Sequence, residues 1–222
     1  MIGAGAAAAW AASPARALMM QASADGLPAS VRDLLARMTV VEKAGQCTLM
    51  AAAWAGGAAT ALNPPSGNNS FDDQLDETRA GRLGGVFNGN GAEMARRMQT
   101  VAVRESRLKV PLIFAADVIH GFRTVFPMPL AEAGSFDADL AERTARAAAV
   151  EATAAGIDWN FAPMVDIARD QRWGRGIEGA GEDVLLGRIM AAARTRGFQG
   201  RRGLTADDAM AACAKHFAAY GA

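Results

Sequence analysis

Cysteine is scarce: two residues among 222, Cys47 and Cys213. That excludes a disulfide framework, and no metal-ligand spacing accompanies them. Each sits in an apolar run, which predicts two small buried hydrophobes with free thiols. Net charge is also lacking, since 23 Lys and Arg balance 23 Asp and Glu. The basic residues cluster no further than pairs such as Arg96-Arg97 and Arg201-Arg202. There is therefore no electrostatic case for nucleic acid. Aromatic residues are few, yet half of the chain is hydrophobic and much of that is alanine. This composition belongs to a globular domain with a sizeable core rather than to a disordered chain.

A membrane span needs roughly 20 apolar residues, and the apolar run at 2–12, IGAGAAAAWAA, is too short. Ala22-Ser23-Ala24 ahead of Asp25 fits a leader-peptide cleavage site. No positive segment precedes the run, and Arg16 follows it. A start codon placed too late would explain this; a simple Ala-rich tail would explain it equally. Residues 1–24 are therefore read as leader or tail, and 25–222 as the domain.

Within 25–222, strand and helix patterns alternate. Leu27–Met38 has helical spacing, and Thr39 with Glu42 forms a T-x-x-E capping box. Gln46–Met50 reads as a short strand. Residues 51–70, rich in Ala, Gly, Pro and Asn, read as loop, and 72–80 as a short acidic helix. LGGVFN at 83–88 predicts a buried strand and 92–107 a helix. VPLIFAAD at 110–117 is a continuous apolar run ending in Asp117, IDWNFAP at 157–163 reads as the next strand and Ala211–Phe217 as the last. Such runs suit parallel strands covered on both faces. Helices are predicted at about 137–155 and 182–198. This rhythm gives an α/β fold with a mostly parallel sheet of about five strands. A closed (β/α)₈ barrel needs eight, so the sheet is either open or an incomplete barrel.

In such folds the chemistry sits at the C-terminal ends of the strands. There the sequence places Asp117, then Asp166, Arg169, Asp170, Arg172 and Arg175, then Lys215 and His216. Carboxylate, guanidinium and ammonium groups along one rim are what vicinal sugar hydroxyls need. Structural readings stand beside this one. Asp117 could cap a helix. Arg172 and Arg175 could pair with Glu178 or Glu182. Lys215-His216 could open a solvated loop. His120 reads as a packing histidine, and Trp159 and Trp173 as either sugar platforms or core.

Five collinear segments resemble glycoside hydrolase family 3, in its bacterial periplasmic β-glucosidase branch. They are LLARMTVVEKAGQ (34–46), GGVFN (84–88), SRLKVPLIFAADVIHGFRTVFPMPL (106–130), FAPMVDIARDQRWGRGIEGAGED (161–183) and KHFAAYGA (215–222). The resemblance implies the first five units of a TIM-like barrel, ordinarily followed by an α/β sandwich domain. It implies a retaining exo-hydrolase acting on β-linked glucosides, with no metal or cofactor and a small saccharide as partner. It makes Asp117, Arg175, Lys215 and His216 substrate-binding residues. It leaves Asp166 and Asp170 as loop builders.

The family nucleophile lies in a later S-D-W-type segment and the acid/base carboxylate further on. No residue here matches either, so no catalytic residue is assigned and the 222-residue chain alone is expected to be inactive. The alternatives are a truncated product with residual sugar binding, a β-xylosidase, or a β-N-acetylhexosaminidase. KHFAAYG departs from the KHFPGHG pattern of the last. The resemblance implies a periplasmic or secreted location; the oligomeric state stays open.

Overall fold

The computed structural model describes residues 26–54, 70–89, 91–217 and 220. The leader or tail at 1–24 and most of the loop expected at 51–70 lie outside them. The chain divides into two compact units, Met1–Lys43 and Ala44–Ala222. In the first, α1 (Ala29–Arg37) buries none of its residues. Helix α2 (Val40–Gln46) crosses the boundary and starts at the expected capping box. The Thr39 amide donates to Glu42 Oε2 at 2.8 Å, and the Glu42 amide donates to Thr39 Oγ1 at 3.2 Å.

The second unit is built on five parallel strands in chain order: β1 (Leu49–Ala51), β2 (Gly85–Phe87), β3 (Ile113–Ala116), β4 (Trp159–Asn160) and β5 (Ala211–Ala212). The strands are shorter than the apolar runs that contain them. The β3 run spans 110–117, but only four residues enter the ladder. The first strand begins at Leu49, because Gln46 is still helical and Cys47 lies in a turn. Cys47 is consequently exposed and Cys213 half-buried just past β5, which corrects the expectation that both are core residues. Both thiols are free.

Helices α3 (Phe71–Arg79), α4 (Ala92–Arg104), α5 (Pro129–Ala133), α6 (Ala138–Ala154) and α7 (Val184–Gln199) fill the connections. Their starts are legible in the caps. Ser70 Oγ accepts from the Asp73 amide at 3.1 Å, Asp137 from Leu140 at 2.8 Å, and Asp183 from Leu186 at 2.7 Å. Each such cap is worth about 1 kcal/mol. Helix α6 buries Ala141, Ala145, Ala148, Ala149 and Ala152, one stripe at helical spacing. Small side chains there let α7 approach closely. A Cβ at Gly197 would stand 2.4 Å from the Glu142 carbonyl oxygen and 2.6 Å from Ala145 Cβ, so only glycine fits.

Apolar residues form two larger cores. One joins Val86 and Phe114 to Met98 and Val101 of α4. The other joins Ala116 and Ile157 to the alanines of α6 and to Phe198 and Met210. A buried ion pair ties the helices together. Glu132 of α5 accepts from Arg194 of α7 and from the Thr144 hydroxyl of α6. Arg194 also donates to the Ile119 carbonyl, and both charged side chains are less than a tenth exposed.

Candidate functional site at the strand ends

The segments leaving β3, β4 and β5 meet at one rim. Parallel pairing lapses at Ala162-Pro163, where proline offers no amide hydrogen. It then resumes in an isolated bridge between Met164 and Lys215. The Val165 amide donates to the Lys215 carbonyl at 2.7 Å, and the Lys215 amide donates to the Pro163 carbonyl at 3.0 Å. Beneath, the fully buried Asn160 side chain holds the exit of β3. It accepts from the Val118 amide at 2.8 Å and donates to the Val118 carbonyl at 3.0 Å. These contacts fix Asp117, directly after β3, opposite Lys215, three residues past the end of β5.

Lys215 Nζ lies 2.8 Å from Asp117 Oδ1 and 3.6 Å from Glu178 Oε2. Its side chain is 11% exposed, so it is held between the two carboxylates. Asp117 is far more open, and no helix begins after it, which removes the helix-cap reading. Arg175 donates to both oxygens of Glu178, at 2.5 and 2.7 Å. Gly174, in the left-handed region at φ 86°, ends the preceding turn of 3₁₀ helix and redirects the chain there. The Glu178 carboxylate raises the pKa of Arg175 further above its ordinary value. Arg175, and after it Lys215, hold the Glu178 carboxyl below the usual carboxylate range.

His216 is fixed on its other side by Asp166. The ring Nδ1 is 2.7 Å from Asp166 Oδ2, and the backbone amide donates to the same oxygen at 3.0 Å. Asp166 is nearly fully buried. A carboxylate oxygen accepts, so Nδ1 carries the proton and Nε2 is left for a ligand. Tyr220 completes the wall. Its ring lies 4.5 Å from that of His216 and 5.3 Å from that of Trp173, with the Arg175 guanidinium 5.5 Å away.

The structure thus brings together all four residues expected to bind substrate: Asp117, Arg175, Lys215 and His216. It leaves Arg172 outside, paired with Asp170 on the surface, and so resolves which arginine turns to Glu178. Asp166 holds the segment past β5, accepting from both the backbone amide and the ring of His216. Glu178 and Tyr220 were not expected in the site. The spacing of Arg175 and Glu178 was a usable signal for the first; nothing in the sequence marked Tyr220. His120 sits apart, its Nδ1 donating to the Phe126 carbonyl at 3.0 Å, which bears out its packing role. Trp159 packs edge-on against Phe161 at 5.0 Å. Among the described residues no cluster of three or more His, Cys, Asp or Glu could hold a metal.

The arrangement can hydrogen-bond a polyhydroxylated ring. Open Asp117 and His216 Nε2 are available as acceptors, and Lys215 and Arg175 as donors. Asp117 and Glu178 already answer cations and Asp166 already holds His216, which suits holding a substrate better than attacking it.

Comparison with known proteins identifies the family. Residues 39–222 match the glycosyl hydrolase family 3 N-terminal domain. The periplasmic β-glucosidase of Salmonella typhimurium is 40% identical over 194 residues, 87% of this chain and 24% of that protein. The periplasmic β-glucosidase/β-xylosidase of Dickeya chrysanthemi is 32% identical, over 88% of this chain and 32% of its own length. The β-glucosidase of Listeria innocua in complex with glucose superposes with a TM-score of 0.73 at 37% identity, over 86% of this chain and 27% of that one. A mutant of the same enzyme has been seen with laminaribiose. The chain spans between about a quarter and a third of the length of these relatives.

Proposed function

The chain belongs to glycosyl hydrolase family 3, its five-stranded sheet being part of the family's barrel, and on that premise we propose that its rim is the non-reducing-end sugar subsite of a retaining β-glucosidase. The observation that carries this reading is Lys215, held between Asp117 and Glu178 where three successive strand exits converge. Charge-assisted hydrogen bonds to the hydroxyls of one glucose fix its orientation. Bonds that tighten as the ring flattens toward the oxocarbenium-like transition state lower the barrier. Asp166 keeps His216 in the tautomer that accepts from a hydroxyl, and Glu178 aims Arg175.

Retaining hydrolysis also needs two carboxyls about 5–5.5 Å apart, a nucleophile and an acid/base. The rim carboxylates serve as acceptors for Lys215, Arg175 and His216. The nucleophile and acid/base are proposed to come from protein outside residues 39–222. The small share of each relative that this chain matches supports this. A periplasmic location is proposed from the names of the Salmonella and Dickeya relatives; among the described residues no helix is long and apolar enough to cross a membrane. The second reading is a β-xylosidase, which the Dickeya relative's name supports.

Hydrolysis of aryl β-glucoside and aryl β-xyloside tests these readings. Residues 1–222 alone are expected to turn over neither. Turnover of either by this chain, abolished by Asp117→Ala, would place the nucleophile among Asp117, Asp166 and Glu178 and refute the division of labour. In a longer protein that carries the two carboxyls, a preference for xyloside would replace the glucosidase reading by the second.

A further inference from the structure

Away from the rim, α6, α7 and the segment after α7 border an open cleft of about 730 Å³. Five arginines line it: Arg143 and Arg146 from α6, Arg196 from α7, and Arg201 and Arg202 beyond it. Among the described residues three carboxylates share the lining with them. Glu142 is shared, 2.9 Å from Arg196 and 3.4 Å from Arg201. Asp208 answers Arg202 at 2.9 Å. Asp139 is the third. In a chain whose charges cancel overall, this is a local excess of cations in a concave site.

Arg146 provides an independent observation. Its Nε is buried and has no hydrogen-bond partner among the described residues. The rest of the guanidinium is lodged. One terminal nitrogen donates to the Asp208 carbonyl, and the other lies so near Gly200 that a Cβ there would stand 2.3 Å from it. Among the described residues neither Arg146 nor Arg143 forms a close ion pair, although the Asp208 carboxylate feels the Arg146 charge from further off. A donor held rigid, desolvated and unanswered invites an acceptor from outside.

We propose that this cleft binds a small molecule carrying an oxyanion, phosphate or carboxylate, on a hydroxylated body of monosaccharide size. Guanidinium forks match both oxyanions, and several forks around one concavity select for them over neutral sugars. The volume lies within the range of small-molecule sites and exceeds what a bare ion fills. Glu142 and Asp139 can accept from the hydroxyls of such a body.

The test is calorimetric titration of the 222-residue chain with glucose 6-phosphate, glucuronate, inorganic phosphate and glucose. Glucose 6-phosphate or glucuronate is expected to bind saturably and more weakly as salt is raised. Arg143→Gln/Arg201→Gln, at exposed positions that leave the core intact, is expected to weaken binding at least tenfold. Asp117→Ala is expected to leave it unchanged. Competition by inorganic phosphate identifies the phosphate form; binding of glucuronate without such competition identifies the carboxylate form. The proposal is overturned if neither sugar acid nor sugar phosphate binds, if binding survives the double substitution, or if Asp117→Ala removes it, which would put the ligand on the rim.

Discussion

Glu178→Ala probes how the rim is aimed. The substitution removes both acceptors of the Arg175 fork and one of the two carboxylates around Lys215. Hydrogen bonds to charged groups are worth about 1.5–3 kcal/mol each when buried. Arg175 is about a third exposed, so solvent screening reduces the pair to about 1–2 kcal/mol. If that energy aims Arg175 at the sugar, the glucose Kd rises about five- to thirty-fold. Calorimetric titration with glucose measures it, with far-UV circular dichroism confirming the fold. Glu178→Gln retains shape and one acceptor and is expected to fall between wild type and alanine. A Kd for Glu178→Ala within twofold of wild type, in a folded protein, would show that Glu178 does not position the subsite.

Acid provides a second handle on the same pair. The folded-state pKa of Glu178 lies below its ordinary 4.5, so its contribution to stability is complete above that value and is lost as pH falls through the lower one. The stability difference between wild type and Glu178→Gln, read from urea unfolding, is expected to shrink in that acid window and to stay constant at neutral pH. Arg194→Ala strands the buried Glu132 carboxylate and is expected to cost about 3–5 kcal/mol, whereas Glu132→Leu/Arg194→Met recovers most of it; equal costs for the single and double substitutions would discount the pair. Gly197→Ala must push α6 and α7 apart and is expected to cost about 1–3 kcal/mol, again by urea unfolding.

The parallel sheet was legible because apolar runs covered on both faces carry no alternation, and the helices between them carry caps and alanine stripes. Strand length was not. VPLIFAAD looks uniform, yet only Ile113–Ala116 has ladder partners. Hydrophobicity records burial, not pairing. The same limit misplaced Cys47, whose apolar neighbours belong partly to the strand and partly to a turn. Asp117 was readable as the residue that follows a strand, and Lys215 and His216 as lying shortly past the next such strand but one. Arg175 and Arg172 were not separable by spacing, because both can reach a carboxylate. The left-handed turn at Gly174 and the capping role of Asp170 decide between them. The partner of Asp166 was hidden for a similar reason: His216 lies fifty positions away, a contact that only the resumed pairing past Pro163 creates.

The central claim is that Asp117 and its neighbours form a sugar-hydroxyl site. Glucose titration of wild type against Asp117→Ala tests it most directly. The account predicts saturable binding to wild type and a loss of at least about tenfold on removing the carboxylate, since a charge-assisted hydrogen bond disappears and Lys215 loses its nearer partner. Equal affinities for the two proteins, both folded, would contradict it.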